Sequence, residues 1–201
     1  MLHLRHLEDL RRLLLELPDL TRRRDRADVP FHDLVLAWLA RVEDSLIAGR
    51  LHHAGTIAAL RDLIADAGAG GVPRGVVVAG PMSRRKLRAA AASFALREGT
   101  DLLAALIDQH TPRLDEAERV ARQIVAALMS AGLTPTRSAY PDTTSYLATV
   151  RRVLSSRADL EAAAIHLEGL VDRYDALLLL DRAMAPYEHA AATPVGPGGT
   201  P

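Results

Sequence analysis

The 201 residues include 25 basic and 25 acidic side chains, 49% hydrophobic and 3% aromatic residues, and no cysteine. That apolar fraction excludes disorder along the whole chain, and the missing cysteines exclude disulfides, thiolate metal sites and cysteine nucleophiles. With so few aromatics the core must be built from Leu, Ala, Val and Ile. This palette favours packed helices over a β-sandwich, so the expected class is all-α: a multi-helix antiparallel bundle of about seven helices, compact enough to be one domain.

From the N-terminus, Leu7, Leu10, Leu14 and Leu17 recur at helical spacing and predict a first helix over 2–17, stopped by Pro18. The charged TRRRDRAD that follows reads as a solvated connection. Asp28 and Pro30 suit the start of a second helix, whose stripe is Phe31, Leu34, Trp38, Val42 and Leu46. Gly49 ends it, or it runs on to His53. Thr56 then caps a short third helix bearing Ile57, Leu60 and Ile64. These three helices form an N-terminal part, 1–67.

The Gly- and Pro-rich stretch 68–82 reads as a hinge. Its Val76–Val78 is the one strand-like run, too short for a sheet and without a partner. A C-terminal part, 83–188, begins with Ser83 capping a helix that carries Leu87, Ala91 and Phe94. Gly99–Thr100 is expected to break or kink that helix, and Thr111–Pro112 to start the next, with Val120, Ile124 and Leu128 buried and Gly132 at its end. A loop leads to a helix bearing Tyr146, Leu147, Val150 and Leu154. Beyond Ser155–Ser156, the spacing of Leu160, Ala163, Leu167, Leu170, Tyr174, Leu177 and Met184 predicts one long helix over 157–185. Asp181 is the one breach in its stripe. Residues 189–201 read as a disordered tail.

Charge is uneven along this chain. Residues 1–100 carry sixteen basic and twelve acidic groups, residues 101–201 nine and thirteen. No acid lies between Asp66 and Glu98, where Arg74, Arg84, Arg85, Lys86, Arg88 and Arg97 fall. Arg84, Arg85, Lys86 and Arg88 at a helix start are the candidate anion or nucleic-acid site, since unpaired N–H groups there favour phosphate. Against this stands charge pairing with Asp159, Glu161, Glu168, Asp172, Asp175 and Asp181 of the predicted long helix. Lys86 is the only lysine and asparagine is missing, which a GC-rich bacterial coding bias explains.

Catalytic and cofactor patterns fail one by one. Gly75 and Gly80 have phosphate-loop spacing, but Pro81 and Met82 stand where Lys and a hydroxyl residue are required. His3 and His6 share a helix face and His52 adjoins His53, yet no HExxH or paired Glu-x-x-His accompanies them. Arg26 and His32 meet the permissive Arg–His spacing of helical HEPN ribonucleases across a linker, where chance suffices. No serine lies in a GxSxG elbow. The expectation is no catalytic residue, no metal and no cofactor.

No apolar run approaches the ~20 residues of a membrane helix, and the N-terminal residues mix both charge signs without a signal-peptide core. A cytoplasmic protein that does not enter a membrane is expected. Its expected function is that of a non-enzymatic interaction module, an adaptor, assembly or regulatory subunit. The long helix's stripe (Leu160, Leu167, Leu170, Tyr174, Leu177) is the surface proposed to meet a protein partner or form a coiled-coil homodimer. Nucleic-acid or phosphate binding through Arg84–Arg88 is the alternative.

Overall fold

The computed structural model describes residues 3–26, 30–72 and 83–192, with backbone alone for 24–26 and 188–192. Among them are eight α-helices, one 3-10 turn and no strand, so the chain is all-α. The helices are α1 (Leu4–Leu15), α2 (Leu17–Arg26), α3 (Phe31–Ala48), α4 (Ala54–Ala69), α5 (Arg84–Ser130), α6 (Thr143–Leu154), α7 (Ala158–Leu170) and α8 (Arg173–Ala192). They divide into two compact units, Leu2–His110 and Thr111–Pro201, with the division inside α5. Of the expected Gly/Pro hinge over 68–82, Gly68 and Ala69 close α4, and 73–82, including Val76–Val78, lie outside the described residues.

In the N-terminal unit α3 is the centre. Its Val35, Trp38, Leu39, Val42 and Leu46 are fully buried, and α1, α2 and α4 all pack on it. Helix α1 contributes Leu4, Leu7, Leu10 and Leu13, a 3/3/3 stripe that leaves Leu14 half-buried. The Trp38 indole N–H donates to the Leu13 carbonyl at 3.0 Å. That bond satisfies the buried indole through a carbonyl of α1's last turn, which also accepts from the Glu16 N–H at 3.3 Å.

Pro18 does not end the helical region. It occupies the first turn of α2, where its missing N–H costs nothing. The expected solvated connection is helical as far as Arg26 because Asp19, at the positive end of α2, takes Arg23 at 2.8 Å and Arg22 at 3.4 Å.

Three helix ends share one hydrogen-bond pattern. After α4, Gly70 has φ +102° and the N–H groups of Gly70 and Gly71 donate to Ala67 and Asp66. After α5, Gly132 has φ +66° and the pair runs from Gly132 to Met129 and from Leu133 to Leu128. After α3 the left-handed residue is Arg50, at φ +54°, one place beyond the glycine expected to serve. Its own N–H donates to Ile47, and that of Leu51 to Leu46.

Helix α5 runs without interruption through both expected breaks, so the longest helix is here and not at the C-terminus. Gly99 is buried against α3. A Cβ placed on it would stand 3.1 Å from Leu39 Cδ2 and 3.2 Å from Trp38 Cζ3, so the glycine serves close helix approach. Thr100 turns its hydroxyl back to the Leu96 carbonyl at 2.7 Å and remains helical. Pro112 lies inside the helix, where it removes the bond that would reach the Asp108 carbonyl.

In the C-terminal unit α6, α7 and α8 pack on one another. Tyr146, 1% exposed, directs its hydroxyl to Met184 Sδ at 3.3 Å. The expected helix over 157–185 is two helices. Val171 is extended at φ −131° and ψ 169°, and Asp172 Oδ1 accepts from the N–H groups of Tyr174 (2.8 Å) and Asp175 (3.0 Å), capping α8. On the other side of the break, Arg113 donates to the carbonyls of Gly169, at 2.7 Å, and Leu170. The last turn of α7 thus has a cation at its negative end. The Asp181 breach also has its reason: Arg137 donates to its two oxygens at 2.8 and 3.0 Å and to Thr143 Oγ1 at 2.9 Å.

Candidate functional site

The four basic residues at the start of α5 do not act alike. Ser83 caps the helix, its Oγ accepting from the Lys86 N–H at 3.3 Å. Arg84, Arg85 and Lys86 follow, all exposed. Arg88 turns inward instead. Its guanidinium lies 3.9 Å from Asp33 of α3, and its Nε would stand 3.2 Å from a Cβ at Gly68. Arg88 therefore ties α5 to α3 and α4, whereas Arg84, Arg85 and Lys86 have no carboxylate within ion-pair distance among the described residues.

Three of the six acids expected to neutralise this cluster have partners within their own unit. Asp159 takes Arg157 at 2.8 Å, Asp181 takes Arg137, and Asp172 caps α8. Hydrogen bonds from Arg157 hold the Asp159 carboxyl below its ordinary pKa. Beside Arg88, burial and then the guanidinium charge lower the His32 pKa, against the opposing pull of Asp33. The side chain of Arg26, the other half of the Arg–His spacing, lies outside the described residues.

The proposed self-association stripe is divided by the break at Val171–Asp172. Leu160 and Leu167 are 3% and 1% exposed, so both are buried within this chain. Leu170 and Leu177 are half-buried, and Tyr174 is exposed. A residue off the stripe takes their place: Ile165 is 64% exposed. It stands at a groove of about 110 Å³ among α6, α7 and α8, with Leu154, Ala164, Leu177 and Leu180 as apolar walls. Arg151, Glu161 and Glu168 supply the charges of the same groove. The sequence carried a signal for this, since Ile165 is the one large apolar residue of α7 outside the heptad pattern.

His3 and His6 meet edge to face with ring centres 5.9 Å apart, and His52 and His53 lie 3.7 Å apart at the start of α4. Burial, and next the neighbouring His52, lower the His53 pKa. No described helix is long and apolar enough to cross a membrane.

Compared with protein-family models, curated proteins and solved structures, the chain matches none.

Proposed function

We propose that this chain is a non-enzymatic helical interaction module that receives a protein partner, or a second copy of itself, on the α6–α8 face. The observation that carries this reading is Ile165, 64% exposed beside an apolar groove with charges of both signs. Covering such a side chain removes apolar surface from water, about 1.5–3 kcal/mol for a fully buried isoleucine. The Arg151, Glu161 and Glu168 charges give the contact direction without requiring a deeply buried ion pair. Light scattering on the purified chain measures self-association, and co-purification from the native host measures a partner. Ile165→Glu should abolish the assembly while melting like the wild type. An unchanged mass together with an unchanged set of co-purifying proteins removes the reading.

A second reading, binding of nucleic acid or another polyphosphate, has its own observation: Arg84, Arg85 and Lys86 project from a helix N-terminus with no acid beside them among the described residues. Three phosphate contacts would give a slope of log K against log salt of roughly −2.7 on duplex DNA. Arg84→Ala with Arg85→Ala should flatten that slope. Absence of binding to DNA and RNA at low salt removes this reading and leaves the first untouched.

A further inference from the structure

The N-terminal unit carries a groove that neither reading uses. It has a volume of about 510 Å³ and lies between α1 and α3, with Arg5, Arg12, Arg41 and Ser45 among its lining residues. Arg41 is already satisfied, because both its terminal nitrogens donate to the Glu16 carboxylate, at 2.8 and 2.5 Å. Among the described residues Arg12 is held by Asp9 alone, at 3.3 Å, in a pair whose arginine side chain is 73% exposed. Such a pair exchanges partners readily. Arg5 has no carboxylate within ion-pair distance among the described residues. Three guanidiniums therefore face two carboxylates, with the imidazole of His6 at the same wall. Ser45 Oγ is buried and has no hydrogen-bond partner among the described residues, a condition that a turn of the side chain into the groove, toward a ligand acceptor, would relieve.

The geometry points to a binding site for a small organic oxyanion, a phosphate ester or a carboxylate, received by Arg5 and Arg12 with Ser45 donating its hydroxyl. A guanidinium matches either headgroup with paired N–H donors. The groove lies within the size range of metabolite sites and exceeds what a bare ion needs, so the oxyanion is the handle of a larger molecule. The Glu16–Arg41 pair is neutral as a unit, so Arg5 and Arg12 are the cations of this groove that a ligand oxyanion would meet.

The test uses the full chain at low salt, titrated with inorganic phosphate and, separately, with acetate, followed by amide shifts of the N-terminal unit. Saturable shifts at Arg5, Arg12 and Ser45 are expected with at least one probe. Phosphate alone assigns a phosphate ester; acetate alone, or both equally, assigns a carboxylate-tolerant site. Arg5→Gln should weaken binding by about tenfold and Ser45→Ala by a smaller factor. Arg152→Gln, an exposed change on α6, should bind as the wild type does. Arg5 is exposed, so its variant is expected to fold, and a matching melt verifies this. The inference is overturned if neither probe saturates, if Arg5→Gln binds equally well, or if Arg152→Gln weakens binding as much as Arg5→Gln does.

Discussion

Two stretches of this chain invert what their sequences announce. Residues 84–130 contain a glycine and a proline that should break a helix, and they form one unbroken helix of 47 residues. Residues 157–185 contain a stripe that should sustain one helix, and they form two. The difference lies in what surrounds each stretch. At Gly99 the helix is held by close packing on α3, which a Cβ would meet at 3.1 Å from Leu39 and 3.2 Å from Trp38. The α7–α8 break holds because Arg113 takes the last carbonyls of one helix while Asp172 takes the first N–H groups of the next. Intrinsic propensity differs by only about 1 kcal/mol between Gly and Ala, and one set of tertiary partners outweighs that.

Filling the space at Gly99 should do the most damage. Valine there would place methyl groups against Trp38, which is 0% exposed and fixed by its bond to the Leu13 carbonyl. Overpacking of this kind costs about 2–3 kcal/mol, read as a lower urea midpoint at constant m-value. Gly99→Ala should be close to neutral, because its helix propensity offsets a contact of a few tenths of an ångström too close. A neutral Gly99→Val would mean that close approach is not why the glycine is there. Pro112→Ala tests the other interruption. It returns the missing N–H and should raise stability by about 2 kcal/mol; a lower midpoint would show that the proline's effect on α5 is needed by the fold.

Much of the architecture was legible because apolar spacing depends on local geometry alone. Leu7, Leu10, Trp38, Val42, Leu46, Ile57, Leu60, Ile64, Val120, Ile124 and Leu128 are all buried as their spacing requires, and Ser83 and Gly132 cap α5 as read. What escaped depends on residues far apart in sequence. Nothing near Asp181 names Arg137, and nothing near Gly169 names Arg113, 56 positions away. The basic cluster was legible as a composition, but the inward turn of Arg88 depends on Asp33 of another helix. Ile165 escaped for the opposite reason. It sits in plain view as an apolar residue off the stripe, and exposed isoleucines are common enough to pass unnoticed. Arg50 escaped because glycine is the usual left-handed residue, and Gly49 stood next to it.

The break between α7 and α8 can be opened from either side. Arg113→Ala removes charge-assisted bonds to two carbonyls in an exposed setting, which should cost about 1–2 kcal/mol. Asp172→Ala removes the α8 cap and should cost about 1 kcal/mol. If the two residues jointly define the break, the double variant should show a coupling of at least about 0.5 kcal/mol in a double-mutant cycle. Strict additivity would mean that the two residues stabilise their helix ends independently and do not define the break jointly.

The smallest effect concerns the start of α6, where Asp142 does for that helix what Asp172 does for α8. Its Oδ1 accepts from the Ser145 N–H at 2.8 Å and its Oδ2 from the Ser145 hydroxyl at 3.0 Å. The backbone bond from Ser145, then the hydroxyl bond, hold the carboxyl below its ordinary pKa, which is about 3.9 for an aspartate. A depressed carboxyl stabilises the fold fully above the unfolded-state pKa and loses that contribution as pH falls through the lower folded-state value. Asparagine also caps helices but does not titrate. Melting curves of the wild type and Asp142→Asn between pH 7 and pH 2 should therefore differ most near neutrality, with the wild type more stable by a degree or so, and converge below about pH 4. A difference that stays constant across this range would assign the cap to hydrogen-bond geometry alone, with no contribution from the charge at the positive end of α6.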